Sequence, residues 1–173
     1  MTLCYTEKMK LHDIQLIYQY NYWANGKILT SASRISQEQL LVRSEFTSSS
    51  LRGTLFHIVD GERLWRVLFE TNEIVEEWAE GNFPDFKSLE RKFKEEETAL
   101  RSYLNRLTDA DMESHLRYTV EGGIQRDRIL WHCLYHLVNH GTQHRSEAAA
   151  MLTSFNASPG ELDFTVFLNE FKS

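Results

Sequence analysis

The hydrophobic positions of this chain recur mostly with the spacing of an α-helix. The clearest stripe lies in the first long segment, where Leu16, Tyr20, Trp23 and Ile28 return about once per helical turn. A helix that buries one face repeats apolar residues every three or four positions, whereas a half-buried strand alternates them. The pattern therefore predicts a first helix from about His12 to Arg34.

Three later segments have the same helical spacing. A second helix is predicted to begin after the serine run 48–50, whose hydroxyls can cap its first N–H groups, and to end near Glu70. A third, highly charged and with a single apolar seam, is predicted from near Asp85 or Ser88 to about Leu107. The short stretch SQEQLL, between the first two helices, is expected to form one helical turn.

The fourth long helix is predicted from about Asp127 to Phe155, where the segment 156–160 with its proline ends it. Before it, the pattern changes between Leu116 and Arg126, and the Gly122–Gly123 pair predicts a small hairpin. The tail GELDFTVFLNEF is expected to lie on the helices, because its phenylalanines and leucines need cover. The sequence therefore predicts one all-α domain over residues 1–173, with a hairpin-like excursion before the last long helix.

Composition narrows the class of protein. A chain of 173 residues with 42% hydrophobic residues suits a single ordinary core. Its net charge of −6 disfavours nucleic acid as a partner. The N-terminus lacks the pattern of a signal peptide, and no apolar run approaches the roughly 20 residues of a membrane span. Only Cys4 and Cys133 are present, so we expect a reducing, cytoplasmic location without disulfides or membrane contact.

Candidate chemistry is concentrated in the fourth helix, which has a histidine at every fourth position from residue 132 to residue 144. A rotation of about 100° per residue moves each histidine about 40° around the helix from the previous one. Measured from the centre of the apolar stripe, His144 lies at about 40° and His140 at about 80°, whereas His136 and His132 lie at about 120° and 160°. The first two are therefore expected to face inward, and two imidazoles four residues apart can grip one divalent metal ion.

His57, in the apolar part of the second helix, is our candidate for a third ligand. Gly61, one turn later, would leave room beside it for a ligand or a water molecule. Asp60 or Glu62 could support an imidazole by a hydrogen bond or add a carboxylate to the site. The alternative is a purely structural bundle in which the histidines are buried and hydrogen-bonded without a metal.

Three segments together resemble the DinB/YfiT superfamily of metal-binding four-helix-bundle proteins. They are YNYWAN at 20–25, TLFHIVDGERLW at 54–65 and LYHLVNHGTQHRSEA at 134–148. The resemblance implies an up-down-down-up four-helix bundle that is often a homodimer. It also implies a metal held by His57, His140 and His144, the residues that the helical geometry selects.

The chain departs from the superfamily at three positions. Gln143 stands where a second histidine is common, and Ser146 and Glu147 stand where Gly-Gln is common. Gln143 is expected to point outward and to leave the metal site unchanged. Glu147 is expected near the His140 side of the helix, where its charge would alter the pocket.

Three neutral imidazoles that bind one divalent metal ion leave coordination positions open on it. Zinc or nickel is the favoured ion. The metal would lower the pKa of a bound water or thiol, so we expect a metal-dependent hydrolase or a thiol S-transferase acting on a small-molecule or thiol substrate. Asp60 or Glu62 could act as base, and Arg145 could bind an anion, although a structural ion pair is favoured for Arg145. The other hypothesis, a non-catalytic metal-binding module of a stress response, stays open at this point.

Overall fold

The computed structural model describes residues 8–46 and 48–171, and within them the chain is mainly α-helical, as the hydrophobic spacing predicted. Cys4 lies outside the described residues. No helix within them is both long enough and apolar enough to cross a membrane. The helices are α1 Leu11–Ala32, α2 Gln37–Leu41, α3 Leu51–Thr71, α4 Phe86–Leu104, α5 Leu130–Ser154 and α6 Phe164–Glu170, and the two strands are β1 His115–Val120 and β2 Ile124–Ile129.

Side chains cap the starts of α3 and α4, and the cap of α3 comes from the serine run that the sequence predicted. The Ser50 hydroxyl accepts a hydrogen bond of 3.0 Å from the backbone N–H of Gly53 at the start of α3. Asp85 accepts one of 2.8 Å from the N–H of Ser88 at the start of α4. Each bond satisfies a donor that has no partner inside its helix. At Gly53 a Cβ atom would lie 2.2 Å from the Ser48 carbonyl oxygen, so only glycine permits this tight entry into α3.

The predicted hairpin is present, but it extends further than expected. Strands β1 and β2 are antiparallel, with pairing from His115–Ile129 to Val120–Ile124, and Gly122 and Gly123 take φ values of 78° and 74° in the turn. Helix α5 consequently begins at Leu130, three residues later than the expected start at Asp127. Asp127 is instead held in the ladder opposite Arg117, whose Nε donates a 3.0 Å hydrogen bond to its carboxylate.

Helix α5 lies at the centre of the packing and contacts both α1 and α3, while α4 packs mainly on α3. The C-terminal segment lies on α1, as expected from its aromatic residues. Phe167 is 3% exposed and its ring centroid lies 5.9 Å from that of Tyr20. The Tyr20 hydroxyl donates a 2.9 Å hydrogen bond to the Leu162 carbonyl. This packing fixes the facing sides of α3 and α5, on which the candidate site is built.

Candidate metal centre

Helices α3 and α5 bring His57, His140 and His144 together. Each residue offers one ring nitrogen, and the three nitrogens lie within 4.8 Å of one another. The Nε2 atoms of His57 and His140 are 3.1 Å apart. The His144 ring centroid lies 4.5 Å from both of the other two centroids. The three side chains therefore form a compact cluster that could hold a metal ion.

The cluster lies where the interface between α3 and α5 meets the surface. His57 is exposed, His140 is partly buried and His144 is 5% exposed. His132 and His136, on the same helix, are both exposed. The rotation around α5 that the sequence predicted for the four histidines is therefore confirmed.

Gly61 serves the cluster in a different way from the one expected. A Cβ atom at this position would lie 3.3 Å from Cε1 of His140. The imidazole of His140 therefore fills the space that the missing side chain leaves, and no room for a ligand opens beside His57 there. A glycine on α3 lets a ligand residue of α5 approach the helix closely.

Two rings of the cluster, His57 and His140, have lowered pKa values. Burial, with the neighbouring His144, lowers the pKa of His57. Burial, with His144 and His57, lowers the pKa of His140 to about 4. The Nδ1 atom of His140 is buried and has no hydrogen-bond partner within the described residues. Neutral imidazole with an available lone pair is the form that binds a metal ion.

The donor set fits a divalent ion such as Zn²⁺. Zinc–nitrogen bonds of about 2.0–2.1 Å at a tetrahedral angle place two ligand nitrogens about 3.3–3.4 Å apart, close to the 3.1 Å between His57 and His140. Within the described residues the group contains no fourth histidine, cysteine or carboxylate. A metal held by these three rings would therefore keep a coordination position for a water molecule or another ligand.

A carboxylate supports one of the rings, and it is not the one expected. Oε2 of Glu147 lies 2.9 Å from Nδ1 of His144, so the carboxylate that was expected near the His140 side of the helix supports the ring of His144. Asp60 and Glu62, the expected supports, bond elsewhere. Neither makes a hydrogen bond to the three histidines in the described residues.

Asp60 anchors the loop after α3. Its carboxylate accepts hydrogen bonds of 2.9 Å from Nε of Arg63 and 3.3 Å from the backbone N–H of Trp78. Arg63 in turn donates a 2.6 Å hydrogen bond to the Glu76 carbonyl and lies over the Trp78 ring. Asp60 is therefore a structural residue that fixes the loop beside His57.

Glu62 and Arg145 belong to a second polar cluster, which we call the buried network, with Asn21 and Asn25. One Glu62 oxygen, Oε1, accepts hydrogen bonds of 2.8 and 3.0 Å from the amide groups of Asn21 and Asn25. The amide oxygens of both asparagines accept from Nη1 of Arg145, which is 1% exposed. This supports the structural role that sequence analysis favoured for Arg145 over anion binding.

The two asparagines were missed as individual residues. They lie in the segment YNYWAN, which carried the family resemblance, but their spacing of four positions on an aromatic helix gave no chemical role by itself. Their partners on α3 and α5 supply that role. The network links three helices and explains why polar residues stand in the core of α1.

The fold and the site together define a mainly helical protein with a three-histidine cluster, open to the surface on one side, that could hold a metal ion. A family model described as the DinB family matches residues 7–170, so the chain belongs to the DinB family. No curated protein matches the chain significantly. The resemblance drawn from the three sequence segments is thus confirmed. Membership of the family does not by itself assign a specific reaction to the chain.

Proposed function

We propose that this protein binds one divalent metal ion, zinc or nickel, through His57, His140 and His144. The observation that carries the proposal is the convergence of three ring nitrogens within 4.8 Å without a fourth protein ligand in the described residues. The lowered pKa of His140 supports it, because the site favours uncharged imidazoles. The 3.1 Å between the Nε2 atoms of His57 and His140 supports it too, since this distance is close to the spacing of two nitrogen ligands on one tetrahedral ion.

The chemistry proposed for the site is that of a metal-dependent hydrolase or a thiol S-transferase. When bound, the metal would supply a Lewis acid that lowers the pKa of a coordinated water or thiol. The exposure of His57 gives a small-molecule or thiol substrate access to that side of the cluster. His144 and His140, held by the α5 backbone one turn apart, would fix the direction from which the substrate approaches.

We further propose an up-down-down-up bundle of α1, α3, α4 and α5, and a homodimer, as the family resemblance implies. The aromatic residues of α1 do not favour a dimer seam on that helix. Tyr18, Tyr20 and Tyr22 are at most 9% exposed within one chain, and the ring of Trp23 packs against that of Phe167. Light scattering coupled to size exclusion would measure the mass directly, and a mass of one chain would overturn the homodimer.

The test of metal binding is metal analysis of protein purified without a histidine tag. The parent should contain about one equivalent of metal, and a H57A/H140A/H144A variant should contain none. A matched control, H12A/H115A/H132A, removes three imidazoles that are exposed and should keep the parent's metal content. No metal in the parent, even after incubation with zinc and nickel salts, would overturn the proposal.

The test of chemistry compares metal-loaded protein with the triple variant in two assays. One follows the loss of a low-molecular-weight thiol in the presence of an electrophilic alkylating reagent, and the other follows hydrolysis of activated esters. Turnover by the loaded parent but not by the variant would support an enzyme. One equivalent of bound metal with no turnover in either assay would favour the non-catalytic metal-binding module instead.

A further inference from the structure

We infer that Glu147 is a positioning residue for the cluster, one that fixes the tautomer and orientation of His144. This inference rests on the proposed metal function. It concerns a residue at which the chain departs from the pattern of the superfamily it resembles, and the departure places a carboxylate against one ring of the cluster.

The geometry assigns each nitrogen of His144 a separate task. Glu147 follows His144 by three residues on α5, and its Oε2 lies 2.9 Å from Nδ1. A carboxylate only accepts, so the imidazole donates through Nδ1–H and keeps its proton there. Nε2 of His144 then has a lone pair for the cluster. The contact is well shielded, with the two side chains 6% and 15% exposed.

The other two rings have no such support. Nδ1 of His140 lacks a partner, and the Nε2 atoms of His57 and His140 face each other 3.1 Å apart. The carboxylates closest in sequence to His57 are engaged by Arg63 and by the buried network. Within the described residues, Glu147 is therefore the carboxylate that is hydrogen-bonded to the cluster.

Two physical effects follow from this contact. The hydrogen bond fixes the ring before an ion arrives, so less rotational freedom is lost on binding. The carboxylate also makes the imidazole a stronger donor and adds a negative charge near the ion. Outer partners of this kind change metal affinity by about 10- to 100-fold when they are removed.

The first test needs no metal. Nitrogen-15 NMR of the histidine rings in metal-free protein distinguishes the two neutral tautomers. In the parent, His144 should be protonated at Nδ1. In Glu147→Ala it should become a mixture of tautomers, whereas Glu147→Gln, whose amide oxygen still accepts, should restore the parent's signal. An unchanged tautomer in Glu147→Ala would overturn the inference.

The second test measures zinc affinity by competition with a chromophoric chelator. We expect Glu147→Ala to lose about 10- to 100-fold in affinity and Glu147→Gln to lose distinctly less. Glu77→Gln is the matched control. Glu77 is exposed, and its charge raises the pKa of His57 against the lowering caused by burial, but it makes no hydrogen bond to the rings within the described residues. This variant should lose less than about threefold in zinc affinity, because the charge that it removes is exposed and screened by solvent.

The outcomes separate the two proposals. If Glu147→Ala, Glu147→Gln and Glu77→Gln lose equal affinity, charge alone matters and the positioning role is overturned. If no variant binds zinc, the parent included, the metal function fails, and the NMR result then decides the role of Glu147 by itself. A normal circular dichroism spectrum for each variant confirms that the fold is retained.

Discussion

Two polar clusters share helices α3 and α5, the buried network also includes α1, and the clusters differ in how their groups are satisfied. In the buried network, Arg145 donates to two asparagine oxygens and the two asparagine amides donate to Glu62. Among the described residues, Oε2 of Glu62 is the one side-chain atom of these four residues that is buried without a partner. In the histidine cluster three similar rings face one another, and burial, with the neighbouring His144 and His57, lowers the pKa of His140 to about 4. His144 and Arg145 are neighbours in sequence, yet they belong to different clusters.

The comparison shows how a structural polar cluster can be distinguished from a binding site. Opposite charges joined through amide groups satisfy most of one another's hydrogen-bonding groups, so the network is held together mainly by partners within the chain. In the histidine cluster the Nε2 atoms of His57 and His140 share a contact of 3.1 Å, and Nδ1 of His140 has no partner within the described residues. A cluster of three ring nitrogens, open to solvent at His57, could hold a metal ion from outside the chain.

The largest expected effect comes from breaking the network at Arg145. Arg145→Met leaves the two asparagine oxygens without their donor and the buried Glu62 carboxylate without the nearby positive charge. We expect metal-free protein to lose about 3–5 kcal/mol of unfolding free energy, as for other broken buried pairs. Urea unfolding followed by circular dichroism measures it. Arg117→Met, which removes an exposed partner of Asp127, should cost at most about 1 kcal/mol, and equal losses in the two variants would contradict the comparison.

The histidine cluster should behave in the opposite way. His57→Ala removes an exposed ring, so the free energy of unfolding without metal should change by no more than about 0.5 kcal/mol. Free zinc at about 100 times its dissociation constant should stabilise the parent by about 2.7 kcal/mol, and this gain should vanish in the variant. His132→Ala should retain the gain. Zinc stabilisation that survives in His57→Ala would show that the ion binds elsewhere.

Gly141 tests how tightly the network is packed. A Cβ atom there would lie 2.7 Å from Nη1 of Arg145 and 3.1 Å from Oδ1 of Asn21, and Arg145 is held by its hydrogen bonds. We expect Gly141→Ala to cost about 1–2 kcal/mol net, since overpacking outweighs the gain in helix propensity. Gly26→Ala is its control, because nothing lies within 4 Å of the added Cβ. It should stabilise α1 by up to about 1 kcal/mol, and a similar gain at Gly141 would contradict the packing.

A further effect concerns pH. His140 in the folded protein has a pKa of about 4, below its ordinary value of 6.5, so the unfolded chain binds this proton more readily. The contribution of the neutral His140 ring to stability is complete above pH 6.5 and is lost as the pH falls from 6.5 towards 4. The melting temperature of metal-free parent should therefore fall more steeply over this range than that of His140→Gln. Parallel curves for the two proteins would show that His140 is not the group responsible.

Sequence periodicity predicted the long helices and the inward pair of histidines, because both depend on rotation around a single helix. The late start of α5 was missed, since the pairing of Asp127 in the hairpin depends on a strand outside the local pattern. The structure confirmed the cluster of His57 with the α5 pair, whereas its occupation by a metal stays a prediction.

The supporting residues were harder to assign. Glu147 was placed by rotation alone, but helical side chains tilt towards the N-terminus, and this tilt carries its carboxylate back to His144. Glu62 lies five positions after His57, about 140° around the helix, and thus faces away from it. Asp60 is engaged by Arg63 and by the backbone of the following loop, whose path no helical pattern describes.

The three histidines differ in exposure, and this difference would affect how fast a bound metal ion exchanges. His57 is exposed, His140 is partly covered and His144 is buried, so an ion arriving from solvent would meet His57 first and His144 last. A competing chelator would reach the ion from the same side and displace His57 first. The residence time of the metal would therefore depend on how often the His57 ring swings away, and the exchange rate becomes a property of one side chain on α3.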